Sequence, residues 1–461
     1  MIGDSATRPS ACRLLVVPTR RAARVLFRAP GGARRSCLSM LLVWVVAVSS
    51  ANPVTASSAL VEQEGEYWIG AWASAPQPSL PGTSQSFENQ TLRLIVHTSA
   101  GGTKVRIKIS NAYGDYPILI GAAHIARRTV AAEIDPASDR TLRFHAHTST
   151  RVPARSVVVS DPVQLDVLAL SDLAISLFLS ETTVVTTSHI LAMQTSYISP
   201  NGDSTADVKF PVAKTIRSLP FLTGVDVAVS ARGATIVAFG SSLTDGDGNT
   251  LDTNGRWPDV LAERLQEAAD RKATVGVLNL GIIGNRLLTD SPQQAGSPFG
   301  AALGQAGLAR FEQDVLSQAG VKYVIMGLGI NDIAFPGSLT PATDRVTAEM
   351  IIAGYRQLIA RAHKKGIRVI GTTNPPFENS FLDSPKVTFF TPEKEMVRQK
   401  VNEWMLSGPE FDAVVDFDAV VRDPGHPARL LPIYDSGDHL HPNNAGYIAT
   451  ANAIPLALFG H

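Results

Sequence analysis

A serine hydroxyl is a weak nucleophile until a base takes its proton, and an imidazole serves best as that base when a carboxylate orients it. The stretch FGSSLTDG, Phe239 to Gly246, places two adjacent serines directly after the apolar run ATIVA. Far along the chain, DSGDHLHPN supplies Asp438 and His441, three positions apart, close enough for one local turn to let the carboxylate hold the ring. The order is Ser, Asp, His. A tetrahedral intermediate also needs donors aimed at its oxyanion. NLGIIGNRLL offers the Gly284 backbone N–H in a glycine-marked turn, and GLGINDI offers the Asn331 side-chain amide. Singly these are weak signals, because glycines after a strand usually turn the chain and Asn-Asp usually caps a helix. DSGDHLHPN alone would read as a polar loop with solvated His439 and His441.

The elements that must position these residues follow from the apolar rhythm. From about Glu66 to about Val225 the pattern is period-two or short apolar runs, as in TLRLIVHTS, KVRIKIS, SVVVS, VQLDVLAL and LAISLFLS, with Gly, Pro, Ser, Asn and Asp between them. This predicts an all-β sandwich, jelly-roll-like, over residues 60–228. After about Ala231 the strands ATIVAFG, VGVLNLG, KYVIMGLG, IRVIGTT and AVVDFD alternate with amphipathic helices, the signature of a doubly wound parallel sheet over residues 229–461. Ligands bind such sheets at the carboxyl ends of the strands. Ser242 follows the first strand, Gly284 the second and Asn331 the third, while Asp438 and His441 fall beyond the fifth.

Other chemistries fit less well. The nucleophile elbow of the α/β-hydrolases needs glycine two positions after the serine, where Thr244 stands. His439, His441, Asp435 and Asp438 offer a ligand cluster, yet H-E-x-x-H is absent and a metal reading leaves the serine idle. Arg286, just past the glycine turn, is a candidate for meeting an anionic substrate group, with a structural hydrogen bond as the competing reading. Trp257 reads as core packing. The pair Asp245 and Asp247 reads as a solvated loop, and Trp68 and Trp72 as buried aromatics or sugar platforms.

FGSSLTDG, NLGIIGN, GIND and DHLHP resemble blocks I, II, III and V of the SGNH (GDSL) esterase/lipase superfamily, from Thr235 to the C-terminus. The resemblance implies Ser242 as nucleophile, His441 as base, Asp438 as its orienter, and the Ser242 N–H, Gly284 and Asn331 as oxyanion donors. It also implies a three-layer α/β/α, flavodoxin-like fold on a five-stranded parallel sheet, with no cofactor and no metal. The N-terminal half, with YWIGAWASAPQP and LRLIVHTSAGGTKVRIKISNAYG, is similar to the β-domain of a secreted, xylan-esterase-like branch, which points to carbohydrate esters. One departure stands out: the family has Gly-Asp-Ser where this chain has Gly240-Ser241-Ser242, so a bracing carboxylate is replaced by a hydroxyl. The expected activity is hydrolysis of carboxylic esters, acetyl groups on carbohydrate among them. Longer acyl esters, or carbohydrate binding with impaired catalysis, are the alternatives.

The first 39 residues hold eight arginines against Asp4 and are followed by the apolar run LSMLLVWVVAV and then VTASSA, with cleavage expected after Ala56 or Ala59. Residues 1–59 thus read as a secretory signal rather than a membrane anchor, which would need about 20 apolar residues. Removing residues 1–56 leaves 33 basic against 40 acidic residues, with no basic footprint for nucleic acid. Cys12 and Cys37 both lie in the leader, so the mature chain has no catalytic cysteine and no cysteine-ligated zinc. The expected partners are small-molecule or polysaccharide esters.

Overall fold

The computed structural model describes residues 66–460 apart from 81, 83–84, 232, 269–273, 293–298 and 382–387; the expected leader lies outside the described residues. The N-terminal region is all β, built on two antiparallel sheets. One contains Tyr67–Ala73, Leu222–Val229, Gly102–Ser110, Val157–Val159 and Val163–Val167; the other runs Lys214–Ile216, Ser196–Asn201, Gln90–Thr98, Ser171–Leu179, Ala122–Arg127, Arg140–Thr141. Val105, Ile107 and Ile109 of the first sheet share a core with Leu92, Leu94, Val96, Leu173, Ile175 and Leu177 of the second. Alternation in TLRLIVHTS implies one wet face, but the structure covers that face too. Ile95, Ala174 and Tyr197 pack under Ala132, Ile134 and Phe210, and Arg93 is buried against Phe210 with its guanidinium donating to Ser176 Oγ and to the carbonyls of Ala132, Thr205 and Asp207.

The C-terminal region has the expected three-layer α/β/α fold. Its strands are β1 (Ala234–Gly240), β2 (Val275–Gly281), β3 (Val321–Gly327), β4 (Arg368–Thr372) and β5 (Ala413–Val415). They pair in parallel in the order β2-β1-β3-β4-β5, the flavodoxin-like arrangement. The helices are α1 (Ser242–Asp245), α2 (Trp257–Glu267), α3 (Gly307–Phe311), α4 (Ile330–Ala334), α5 (Ala348–Lys364), α6 (Pro392–Ser407), α7 (Phe417–Val421) and α8 (Asn444–Asn452). Along β1 the side chains alternate between layers. Val237 and Phe239 share a core with Ile351, Tyr355 and Leu358 of α5 and Val401 of α6. Ile236 and Ala238 share the other core with Trp257, Leu261 and Leu265 of α2, Phe417 of α7 and Tyr447 of α8. Trp257 is thus core, edge-on to Phe417 with centroids 5.8 Å apart. α5 ends with Gly366 at φ +69 just beyond it, a left-handed conformation suited to glycine after a helix.

Strand β2 lies at the sheet edge, and the sandwich covers it. The Val277 N–H donates to Ser99 Oγ at 2.9 Å, and Ser99 Oγ donates to Ala71 O at 2.7 Å. Gln266 Nε2 bridges Ser99 O and Val275 O. The contact is close enough that a Cβ on Gly276 would stand 2.0 Å from Gly70 O, so only glycine fits there.

Candidate active site

The register of β1 with its neighbours pairs Gly240 with both Gly281 and Gly327, so the segments leaving β1, β2 and β3 start level on one rim. Ser242 leaves β1 at the start of α1, and the turn before it is tight: a Cβ on Gly240 would lie 2.0 Å from Thr244 Oγ1. The Ser241 carbonyl accepts the Thr244 and Asp245 N–H groups, both at 2.9 Å. The Ser241 side chain itself is buried and its Oγ has no hydrogen-bond partner among the described residues. The backbone, not this hydroxyl, holds the turn.

Beyond β5 the segment 435–442 closes on itself: Ser436 N donates to His441 O at 3.0 Å, and Asp435 Oδ1 accepts from Gly437 N and His439 N. That fold delivers His441 to the rim. His441 Nε2 lies 2.8 Å from Ser242 Oγ across 199 residues of sequence. Its Nδ1 lies 2.5 Å from Asp438 Oδ2, and Asp438 Oδ1 accepts from the N–H groups of Leu440 and His441. Burial opposes charge on both residues. For Asp438 the hydrogen bonds and charge of His441 outweigh it and hold the carboxyl far below its ordinary range. For His441, Asp438 and the nearby Asp247 outweigh it and hold the imidazole above 6.5. Such an arrangement can move a proton from hydroxyl to imidazole and keep the resulting cation oriented.

Gly284 adopts φ +68, a left-handed conformation suited to glycine, in the loop after β2. Asn331 lies in α4, whose N-cap Gly329 has φ +104. Its Nδ2 donates to Asn285 O at 2.9 Å, so one amide proton ties the β3 segment to the β2 loop and the second remains for another acceptor. Arg286 is buried beside Phe335; its guanidinium donates to Asp290 O, while Nε has no partner among the described residues. Burial lowers its pKa.

Several residues that hold this rim escape the sequence reading. Asp332 receives the Leu287 and Leu288 N–H groups at 2.6 and 2.9 Å, and burial pushes its carboxyl up to about 6. Arg310 is buried with Asp314 and donates to Gly240 O, Leu280 O and Asn285 Oδ1, binding the ends of β1 and β2 to the intervening loop. The i,i+4 spacing of Arg310 and Asp314 was the visible signal. Of the acidic pair after Ser242, Asp245 departs from a solvated loop, while Asp247 keeps a side chain 35% exposed. Asp245 is 1% exposed and ion-paired with His189 of the sandwich, and Asp247 Oδ2 stands 3.8 Å from His441 Nε2. Nothing in the local pattern foretold the His189 contact, because it is made between the two regions. His439 and His441 separate onto different carboxylates, Asp435 and Asp438, and among the described residues no group of three or more His, Cys, Asp or Glu converges as metal ligands. Trp68 lies under the Arg106 guanidinium, 4.3 Å from its ring.

Residues 236–454 match the family described as GDSL-like Lipase/Acylhydrolase. No curated protein matches the chain. Among solved structures it is similar to the native aryl esterase of M. smegmatis, at 19% identity and a TM-score of 0.37 over 48% of this chain and 96% of that one. It is also similar to Est24, a carbohydrate acetylesterase from Sinorhizobium meliloti, at 15% identity and a TM-score of 0.35 over 48% and 95% of the two chains.

Proposed function

We propose, for a chain whose residues 236–454 belong to the GDSL-like lipase/acylhydrolase family and which is a serine ester hydrolase, that Ser242 is the nucleophile of an acyl-enzyme mechanism. The observation that carries this reading is the 2.8 Å approach of Ser242 Oγ to His441 Nε2, with Asp438 on the other ring nitrogen. His441 takes the Ser242 proton as Oγ adds to the ester carbonyl, and Asp438 stabilises the imidazolium. The Ser242 and Gly284 N–H groups and the Asn331 amide receive the oxyanion. The tetrahedral intermediate collapses as His441 returns the proton to the departing alkoxide, leaving the acyl group on Ser242. Water, deprotonated by the same imidazole, then releases the acid.

Acetyl groups on carbohydrate are the substrate class we assign, on the likeness of the N-terminal half to a xylan-esterase-like β-domain; longer acyl esters are the competing class. Secretion follows from the basic and then apolar order of residues 1–59. Arg286 is assigned to the substrate side of the rim because its Nε has no hydrogen-bond partner among the described residues. The hydroxyl at Ser241 argues little for an inactive protein, since among the described residues its Oγ makes no hydrogen bond. Ser242→Ala in the full mature chain should abolish hydrolysis of p-nitrophenyl acetate and labelling by a fluorophosphonate. An unchanged rate would refute the assignment, and comparing acetylated polysaccharide with longer-chain esters decides the substrate class.

A further inference from the structure

The oxyanion loop after β2 is held at both ends by carboxylates. Asp332 takes the far end, through the Leu287 and Leu288 N–H groups. Asp245 takes the near end: its Oδ2 accepts the Ile283 N–H at 2.9 Å, immediately before Gly284. Asp245 lies three residues after Ser242 in α1, so one carboxylate links the element carrying the nucleophile to the loop carrying an oxyanion donor. It is 1% exposed, and an ionised carboxylate so buried needs a partner.

That partner comes from the sandwich. His189, 4% exposed, ends the strand Thr187–His189. Its Nε2 lies 2.9 Å from Asp245 Oδ1 and 3.2 Å from Leu191 O, and its Nδ1 lies 3.0 Å from Ala75 O. Every one of these partners is an acceptor when Asp245 is ionised, so both ring nitrogens must carry a proton. The charged groups around the ring are Asp245 of α1, Arg256 ahead of α2, and Asp314 beyond α3, itself paired with Arg310. Burial works against the imidazolium, but Asp245 and the Ala75 carbonyl outweigh burial and Arg256 and raise the imidazole pKa.

We propose that His189 is a positioning residue of the hydrolase, supplied by the β-sandwich: as a fixed imidazolium it holds the Asp245 carboxylate on the Ile283 N–H, and through it the loop that presents Gly284. The bracing charge missing at position 241 is thereby provided four residues later and countered from the other region. This rests on the reading of Ser242 as nucleophile, and it makes the sandwich part of the catalytic apparatus whether or not it also touches substrate.

The test uses the full mature chain and His189→Gln. A misplaced oxyanion donor should lower kcat by about ten- to a hundredfold, with KM within about twofold of wild type. Amide hydrogen exchange at Ile283 and Gly284 should quicken while Leu287 and Leu288, held by Asp332, keep their protection; a general loss of stability would quicken all four together. In the wild-type protein, NMR should find His189 doubly protonated at neutral pH, a reading that does not depend on the variant folding. Wild-type kcat in His189→Gln beside a Ser242 that takes fluorophosphonate, or a singly protonated His189, would overturn the proposal and leave the hydrolase intact. A wild-type Ser242 that takes no fluorophosphonate and cleaves no ester, with the Ile283 protection lost in the variant, would instead sink the hydrolase and leave only the brace.

Discussion

Replacing Asp247 with asparagine removes a negative charge 3.8 Å from His441 Nε2 while leaving a side chain of nearly the same size. In the mechanism proposed above His441 becomes a cation in the transition state, so that charge should lower the barrier. At this separation two unit charges attract by about 1 kcal/mol with the dielectric of water and about 4 kcal/mol at an effective value of 20. The Asp247 side chain is 35% exposed, so the watery end of the range applies. About 1 kcal/mol corresponds to about a sixfold loss of kcat/KM at the pH optimum. The same charge helps to raise the His441 pKa. The base works as neutral imidazole, so activity is gained as pH rises through that pKa; Asp247→Asn lowers the pKa and shifts the acid limb of the profile to lower pH. The variant should therefore be slower at its plateau yet keep a larger fraction of its activity in acid. The assay is a pH profile of kcat/KM for p-nitrophenyl acetate, read at the isosbestic wavelength of the phenol in constant ionic strength. An unmoved limb, or one moved to higher pH, would refute the electrostatic argument, as would a plateau above that of wild type.

Two further substitutions probe the rim. Asn331→Ala should lower kcat by about 10²–10³ with little change in KM; a loss confined to KM would mean that the amide binds the ground state. Ser241→Ala removes a buried hydroxyl with no partner among the described residues, so the melting temperature should hold or rise and kcat/KM should stay within about threefold of wild type; a large loss would show that the hydroxyl is bonded in the working enzyme.

The parts of this protein that could be read from its sequence are those in which neighbours along the chain do the work. The runs ATIVAFG and VGVLNLG are β1 and β2 to the residue, because a parallel strand buried on both faces is a continuous apolar run between turn signals. Asp438 and His441 could be paired on paper because the contact closes within three residues. Asp245 could not. Its burial depends on a histidine 56 positions earlier that reaches it from the sandwich, and a carboxylate in a Gly- and Asp-rich stretch has every local mark of a solvated turn. The burial of Arg93 is hidden for the same reason: in TLRLIVHTS it occupies the polar phase of a period-two pattern, and only the loops bearing Ala132, Thr205 and Asp207 turn that phase into interior. Ser242 and His441 could be paired only by way of the sheet, from their places at the carboxyl ends of its strands, since their meeting across 199 residues requires the whole sheet order to be right.

The seam between Ser99, Gln266 and Val277 also bears on how this protein can be taken apart. An uncapped border strand offers its free amides to any other chain, and recombination or truncation near residue 231 would leave Val275–Gly281 in that condition. The two halves are therefore poor interchangeable parts: a catalytic portion transplanted without its sandwich would carry a self-associating border, and inheritance of both as one polypeptide is the simplest safeguard against it.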